Sequence, residues 1–363
     1  MSRIWCAISG HGFGHAAQVV PVLNELGQRN PRLKVLLRTT VPSHFFETRL
    51  MIPWELSTQA QDVGCVQQGP LTIDVSATWK AYRDFHDTWD CRLREECGAI
   101  KHYHPDLVLS NISYLALEAG ERAGVPTIGF GSLSWDQVLQ ELGNFPTPEQ
   151  GHIIEHIQGV YKRAELVIRL APSLPMNSFS RHADVGPIGY VATDENRSLG
   201  GKVSGIVEEP LVLVALGGVP LDSLPFDAIE QLAPYQFLLD VSLSPNYTRL
   251  RSTQDFPANF HELFMGSDVI FSKPGYGTVI EAVAARKPLV YVRRYNFADE
   301  GGVADYAHRY GRAYELSKQD FYSGAWRGAL DAVLALPAPK ELPPESGVMA
   351  AADIIDSYLT KKT

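Results

Sequence analysis

Ser9-Gly10-His11-Gly12-Phe13-Gly14-His15 follows an apolar run, Ile4 to Ile8, and precedes an amphipathic one, Ala16 to Leu26. The first run reads as a short buried strand. The second reads as a helix with Val19, Val20, Leu23 and Leu26 on one face. Gly12 and Gly14 between them let the backbone come close to a ligand, and the amides at a helix start favour an anion. His11 and His15 add imidazoles, which titrate near neutral pH. The combination points to a sugar-phosphate or nucleotide-sugar site more than to a dinucleotide site.

Working outward, the first half alternates strand-like and helix-like segments. Strands are expected at Arg3–Ser9, Leu33–Thr39, Leu107–Ser110, Thr127–Phe130 and Leu166–Ile168, and one long helix over Ser76 to Tyr103, ended by Pro105. The second half restarts the pattern. Its strands are expected at Leu211–Leu216, Phe237–Leu239, Val269–Phe271 and Leu289–Val292, and its helices at Gly277–Ala285, Gly302–Arg309 and Gln319–Leu336. Alternation of this kind implies parallel sheets covered by helices on both faces. The expected fold is α/β, with two Rossmann-like, doubly wound domains facing a cleft. The first domain is expected over 1–190 and the second over 205–340. The connection lies near Gly186 to Gly205, and a last helix within 345–360 is expected to pack back on the first domain.

At 363 residues the chain is long for one core and comfortable for two. Its 45% hydrophobic and 20% charged residues are ordinary for a globular protein. A formal net charge of −9 disfavours a nucleic-acid or anionic-membrane surface. No apolar run of about eighteen residues is present to suggest a membrane span, and the N-terminus carries no signal-peptide pattern, so a cytoplasmic location is expected. Cys6, Cys65, Cys91 and Cys97 form no C-x-x-C pair and read as reduced thiols. The charged run Asp84–Glu96 reads as a solvated helix face. No D-x-D follows a strand, and no metal or further cofactor is expected.

The second glycine-rich stretch is Ser272-Lys273-Pro274-Gly275-Tyr276-Gly277-Thr278, with Glu281 one turn on. Gly275 and Gly277 permit close backbone approach, and Thr278 can cap the helix or bond a phosphate. Glu281 suits a pair of ribose hydroxyls. A plain strand-to-helix turn with a favourable first-turn acid is the alternative. Gly217-Gly218, after the apolar strand at Leu211–Leu216, repeats the turn chemistry.

The order strand, Ser272-x-x-Gly275-x-x-Thr278-x-x-Glu281, helix resembles the donor half of GT-B glycosyltransferases, notably the N-acetylglucosaminyl transferases of peptidoglycan synthesis and their UDP-sugar-using relatives. That resemblance implies a UDP-sugar co-substrate, a phosphate-side loop at Gly217-Gly218, Phe256 near the base, and inversion at the anomeric carbon. It also matches His15 to a histidine at the first turn of the acceptor side. Gly10–His15, Ser134-Trp135-Asp136, Lys273–Thr278 and Val292-Arg293-Arg294 are similar to the N-terminal region of plant L-arabinokinases. There a GT-B-like region precedes a sugar kinase, and the likeness implies a free-standing GT-B-like protein here. Two features depart from the transferase pattern. Val219-Pro220 replaces the small polar residues after the glycine pair, and Asn296, Asp299 and Glu300 stand where a glutamine pair would hold the donor sugar.

The residues carry these roles. His15 is the expected base, or a donor to the leaving diphosphate. Asp136 either orients His15, binds acceptor hydroxyls, or is an ordinary first-turn acid. His11 lines the acceptor pocket or satisfies turn amides. Trp135 stacks on a sugar or fills the core. Gly12, Gly14, Gly217, Gly218, Phe256, Lys273, Gly275, Tyr276, Gly277, Thr278, Glu281, Arg293, Asn296, Asp299 and Glu300 are assigned to the nucleotide-sugar, with Arg favoured by phosphate geometry. The expected activity is metal-independent transfer of a sugar from a UDP-activated donor to the hydroxyl of an unidentified acceptor. A nucleotide-sugar epimerase or hydrolase, or a sensor that binds without turnover, are the alternatives.

Overall fold

The computed structural model describes residues 2–69, 71–143, 146–189, 209–217 and 224–360. Two all-parallel sheets organise them. The first comprises β1 (Arg3–Ile8), β2 (Lys34–Thr39), β3 (Trp54–Thr58), β4 (Leu107–Asn111), β5 (Thr127–Gly131), β6 (Leu166–Leu170) and β7 (His182–Val185), in the order β3-β2-β1-β4-β5-β6-β7. The second comprises β8 (Leu211–Ala215), β9 (Gln236–Leu239), β10 (Leu250–Ser252), β11 (Val269–Ser272), β12 (Leu289–Tyr291) and β13 (Ala313–Glu315), in the order β10-β9-β8-β11-β12-β13. β1, β4 and β5 in the first sheet, and β9 and β11 in the second, are buried almost throughout. That is why Ile4–Ile8 and Val269–Phe271 read as unbroken apolar runs.

In each sheet the strand order reverses once between neighbours, at β1/β4 and at β8/β11. Loops leaving the carboxyl ends of such neighbours diverge to opposite faces and open a crevice. Register puts Asn111 beside Ile8 in the first sheet and Ser272 beside Ala215 in the second. The turns that follow Ile8, Ala215 and Ser272 are therefore the ones at the two reversals.

The turn after β1 leads into α1 (Gly14–Arg29), and the turn after β11 leads into α10 (Tyr276–Ala284). Between them in the chain run α2 (Ser43–Glu47), α3 (Val75–Asp87), α4 (Trp89–Tyr103), α5 (Tyr114–Ala123), α6 (Trp135–Glu141), α7 (Pro148–Arg163), α8 (Phe226–Glu230) and α9 (Phe260–Gly266). α11 (Glu300–Tyr310), α12 (Lys318–Ser323), α13 (Arg327–Ala335) and α14 (Val348–Thr360) complete the chain. α1 and α10 meet across the two halves: a Cβ built on Gly277 would lie 3.9 Å from the Cβ of Ala17. One apolar cluster runs through this contact, joining Val19 and Leu23 to Val279 and Ile280.

α14 belongs to the same cluster through Ala351, Ala352, Ile355 and Leu359, and Arg29 of α1 donates to Asp353 at 2.5 Å. The chain thus returns to the first half after building the second. Its outgoing and returning passes touch, since the amide of Gly347 donates to the carbonyl of Pro187 at 3.0 Å. A Cβ on Gly186 would sit 1.9 Å from the carbonyl oxygen of Glu345. Residues 190–205 of the expected connection lie outside the described residues.

The single helix expected over Ser76 to Tyr103 is two, α3 and α4, parted at Thr88. The hydroxyl of Thr88 bonds the carbonyls of Asp84 and Phe85, a side-chain alternative to continuing the helix. The helix expected over Gln319–Leu336 is likewise split, because Gly324 takes a left-handed φ of 77° as the cap of α12. Edge strands β3, β7, β10 and β13 were not expected. They are short, and the alternating burial along β3 and β7 leaves no long apolar run to read.

Candidate functional site at the seam between the sheets

The first-half turn is shaped by its neighbours. Gly12 adopts φ 72°, a conformation costly for residues with a side chain. The helix behind it begins at Phe13 without a side-chain cap, so its first amides are not spent on a capping residue. His15 is buried, and its Nδ1 lies 2.6 Å from Oδ1 of Asn111. Asn111 in turn donates to Gln18 at 2.9 Å, and Gln18 donates to the hydroxyl of Ser132 at 2.9 Å. With Asn111 presenting Oδ1 to the ring and its amide nitrogen to Gln18, Nδ1 carries the proton and the Nε2 lone pair is the basic one. Burial pushes the pKa of His15 down to about 4, against the pull of the Asn111 bond. The imidazole is therefore neutral at neutral pH.

His11 serves the adjacent loop. Its Nδ1 accepts from the amide of Cys65 at 3.3 Å, and its Nε2 lies 3.3 Å from the Gln67 amide. Its ring stacks on Phe297 of the second half, 5.8 Å between centroids and 15° between planes. Burial first, then the charges of His15, Arg294 and Lys273, hold its pKa well below the usual range. Trp135 is fully buried, with its ring 5.6 Å from both His11 and His15. Its indole Nε1 donates to Asp62 at 2.9 Å, and Asp62 also accepts from Ser9 at 2.8 Å. Burial lifts Asp62 to about 6 despite those two bonds. Asp136 bonds Ser178, and the bond to His15 comes from Asn111. The Asp136 carboxylate accepts from the hydroxyl of Ser178 at 2.5 Å, and its other oxygen has no hydrogen-bond partner among the described residues. Asn111 holds the orienting position that the sequence offered to Asp136.

The second-half turn is sparer. Gly275 caps α10 without a side-chain bond, and Gly217 takes φ 74°. The two halves close on each other here: a Cβ on Gly12 would lie 4.0 Å from the carbonyl oxygen of Gly217, and one on Gly217 3.2 Å from Cε of Lys273. Lys273 reaches back to the first half, where its Nζ is 3.5 Å from Oε1 of Gln67. Burial, with Arg294 nearby, holds its pKa down to about 8. Tyr276 is buried, and its hydroxyl donates to the carbonyl of Ala171 and accepts from the amide of Ile188, both at 3.0 Å. It ties the second half to the first. Gly218, and the departing Val219-Pro220, lie outside the described residues.

Beyond β12, Glu300 is wholly buried and committed to Arg294. It accepts from the Arg294 amide at 2.8 Å and from its guanidinium at 2.5 Å. That guanidinium lies 4.0 Å over the ring of Phe297. Asp299 differs: it is 8% exposed, and Oδ1 finds no partner among the described residues. Burial raises its pKa to about 7, against the pull of Arg294. Nε of Arg293 is also without a partner among the described residues, and the guanidinium stands 5.0 Å from the Tyr295 ring. Asn296 and Thr278 are half-buried, and the side-chain stem of Glu281 packs by Gly189. Phe256 lines a separate groove of about 690 Å³ formed by residues between Ser242 and Pro257.

The structure thus gathers Gly12, His11, His15, Trp135, Gly217, Lys273 and Asp299 about one seam. It spends Asp136, Glu300 and the Tyr276 hydroxyl on internal bonds. Asn111, Asp62 and Gln67 are the residues that sequence reading missed. Asn111 ends a strand at a switch point, a signal available in the sequence. Asp62 and Gln67 sit in a loop without a motif.

No protein-family model matches the chain. Over 338 residues it is 28% identical to an L-arabinokinase of Arabidopsis thaliana, covering 91% of this chain and 32% of that protein. The chain therefore spans about a third of the length of that curated relative. Among solved structures it resembles the glycotransferase of kitacinnamycin, with a TM-score of 0.66 and 18% identity over 98% of this chain and 99% of the other. It also resembles a UDP-glucose:anthocyanidin 3-O-glucosyltransferase in complex with UDP, with a TM-score of 0.62 and 12% identity over 99% of each chain. MurG of Acinetobacter baumannii matches with a TM-score of 0.53 and 15% identity, over 98% of this chain and all of that one. The chain has the two-sheet α/β fold of GT-B glycosyltransferases.

Proposed function

We propose that this chain is a glycosyltransferase that moves a sugar from a UDP-activated donor to an acceptor hydroxyl. The observation that carries the reading is the meeting of two uncapped strand-turn-helix starts at one seam. A buried, neutral imidazole stands on one side and a cation on the other. Nε2 of His15 takes the acceptor proton as the acceptor oxygen bonds to the anomeric carbon. The bond from that carbon to the diphosphate breaks, and the leaving UDP keeps its electron pair. The α10 start, the Gly217 turn and Lys273 offset the growing negative charge, so the scheme needs no divalent cation. Glu281 takes the ribose, Phe256 and its groove take the base, and Asp299 accepts hydroxyls of the sugar. One base on the acceptor side and charge stabilisers on the leaving side suit a single displacement, with inversion.

The test is a thermal-shift screen of UDP, GDP, ADP and TDP with their sugar conjugates, followed by calorimetry on Glu281→Ala. At a hundredfold excess over its dissociation constant, a binder adds about 2.7 kcal/mol of stability. UDP is expected to stabilise most, and Glu281→Ala to weaken it. No shift with any nucleotide sinks the transferase reading. Unchanged UDP affinity in Glu281→Ala sinks the donor-site assignment. Free sugar or an epimer from UDP-sugar alone moves the assignment to hydrolysis or epimerisation.

A further inference from the structure

The loop between β3 and α3 leaves and rejoins the first half, and its tip at Leu71 enters the core of the second half. Asp62 pins its base to Ser9 and Trp135. Beyond it the chain doubles back: the Asp74 amide donates to Val66 and the Gln68 amide to Thr72, both at 2.9 Å, and Gln67 pairs with Ile73 as an antiparallel bridge. Leu71, at 1% exposure, is buried in the apolar cluster of Val212, Val214, Leu216 and Leu316, all from the second half. Nζ of Lys318 donates to the carbonyls of Leu71 at 3.3 Å and Arg294 at 3.1 Å. Gln67 meanwhile engages Lys273 at 3.5 Å. An apolar anchor, a cationic clamp from Lys318 and a contact to the seam cation therefore converge on one short segment that crosses between the halves.

We propose that this segment is a latch. Leu71 and Lys318 hold the two halves closed, and Gln67 occupies the Lys273 ammonium until an incoming diphosphate replaces it. Closure held this way limits access to the seam, and it must be released before a nucleotide enters. The ligand half of the proposal rests on the donor reading above, whereas the anchor half rests on Leu71 and Lys318 alone.

Leu71→Asp and Lys318→Met test it, with hydrogen exchange at the Gln68 and Asp74 amides and stopped-flow binding of UDP. Exchange at those two amides is expected to speed up about tenfold while β1 and β11 keep their protection. UDP association is expected to speed up by a similar factor of about ten, because the competent open form is more populated. Unchanged exchange at both amides in both variants overturns the latch, and so does faster exchange with unchanged UDP association. If Leu71→Asp also loses protection in β1 and β11, it has unfolded, and Lys318→Met decides by the same two readouts. If UDP binds neither wild type nor variants, the donor reading fails and the exchange result alone judges the anchor.

Discussion

The two glycine turns that meet at the seam are built on one plan and finished differently. Each follows a buried parallel strand at a reversal of strand order, and each leads into a helix whose start has no side-chain cap. The first turn is backed by side chains. Ser9, Asp62, Trp135, Asn111 and Gln18 form connected hydrogen bonds around two imidazoles. The second presents glycine backbone, a helix start and Lys273. Orienting a proton acceptor requires fixed neighbours, because tautomer and ring plane must both be set. Countering a diffuse negative charge requires only amides and a cation close by. Under the proposed function the difference divides the labour, with one side finished for proton transfer and the other for charge.

Removing the imidazole is the harshest way to break that division. His15→Ala is expected to cost about 10²- to 10⁴-fold in turnover while UDP still binds, which kinetics and calorimetry together would show. Equal losses in UDP affinity and turnover would place His15 on the donor side instead. Asn111→Asp sharpens the comparison from within the network. A carboxylate beside Nδ1 favours the imidazolium, so the pKa of His15 rises and the acid limb of the kcat/KM profile moves to higher pH. A misplaced ring costs up to about a hundredfold in addition. A drop in rate with no shift of the limb would leave Asn111 a purely steric role.

Asp299→Asn probes the charged side with the smallest effect, on stability. In the folded protein the Asp299 carboxyl keeps its proton up to about pH 7, whereas the unfolded chain releases it near the ordinary value of 3.8. Between those values the folded state binds more protons, so rising pH costs stability. Melting temperatures are therefore expected to rise on substitution at pH 8 and to change little near pH 4. His15 runs the other way. Its folded pKa of about 4 lies below the ordinary 6.5, so its contribution is lost as pH falls from about 6.5 toward 4. A gain for Asp299→Asn that is equal at both pH values would show that the fold does not raise the pKa of this carboxyl.

Much of this was legible in the residues. Leu211–Leu216 and Val269–Phe271 announced buried parallel strands because both their faces are apolar, and the glycines after them marked the turns. The edge strands were hidden, since Trp54–Thr58 buries neither face fully and so lacks a distinctive run. Individual roles were less legible than positions. Glu300 reads as a ligand by its place after Asp299, yet its backbone and guanidinium bonds to Arg294 use it up. Asp136 reads as a partner for His15, yet the direction of its side chain is fixed by Ser178, 42 positions away. Asp62 and Gln67 were invisible because their meaning comes from tertiary neighbours in a loop with no repeating pattern.

The pairing of Gly186 with residues 345–347 fixes what kind of motion the molecule can make. Two bodies joined by a single tether tumble freely, but two tethers stitched side by side act as a door hinge: rotation about the stitch stays cheap, while sliding and twisting strain both passes at once. Any side chain at Gly186 would drive a wedge into that axle, so a change far from the chemistry would tilt one body against the other.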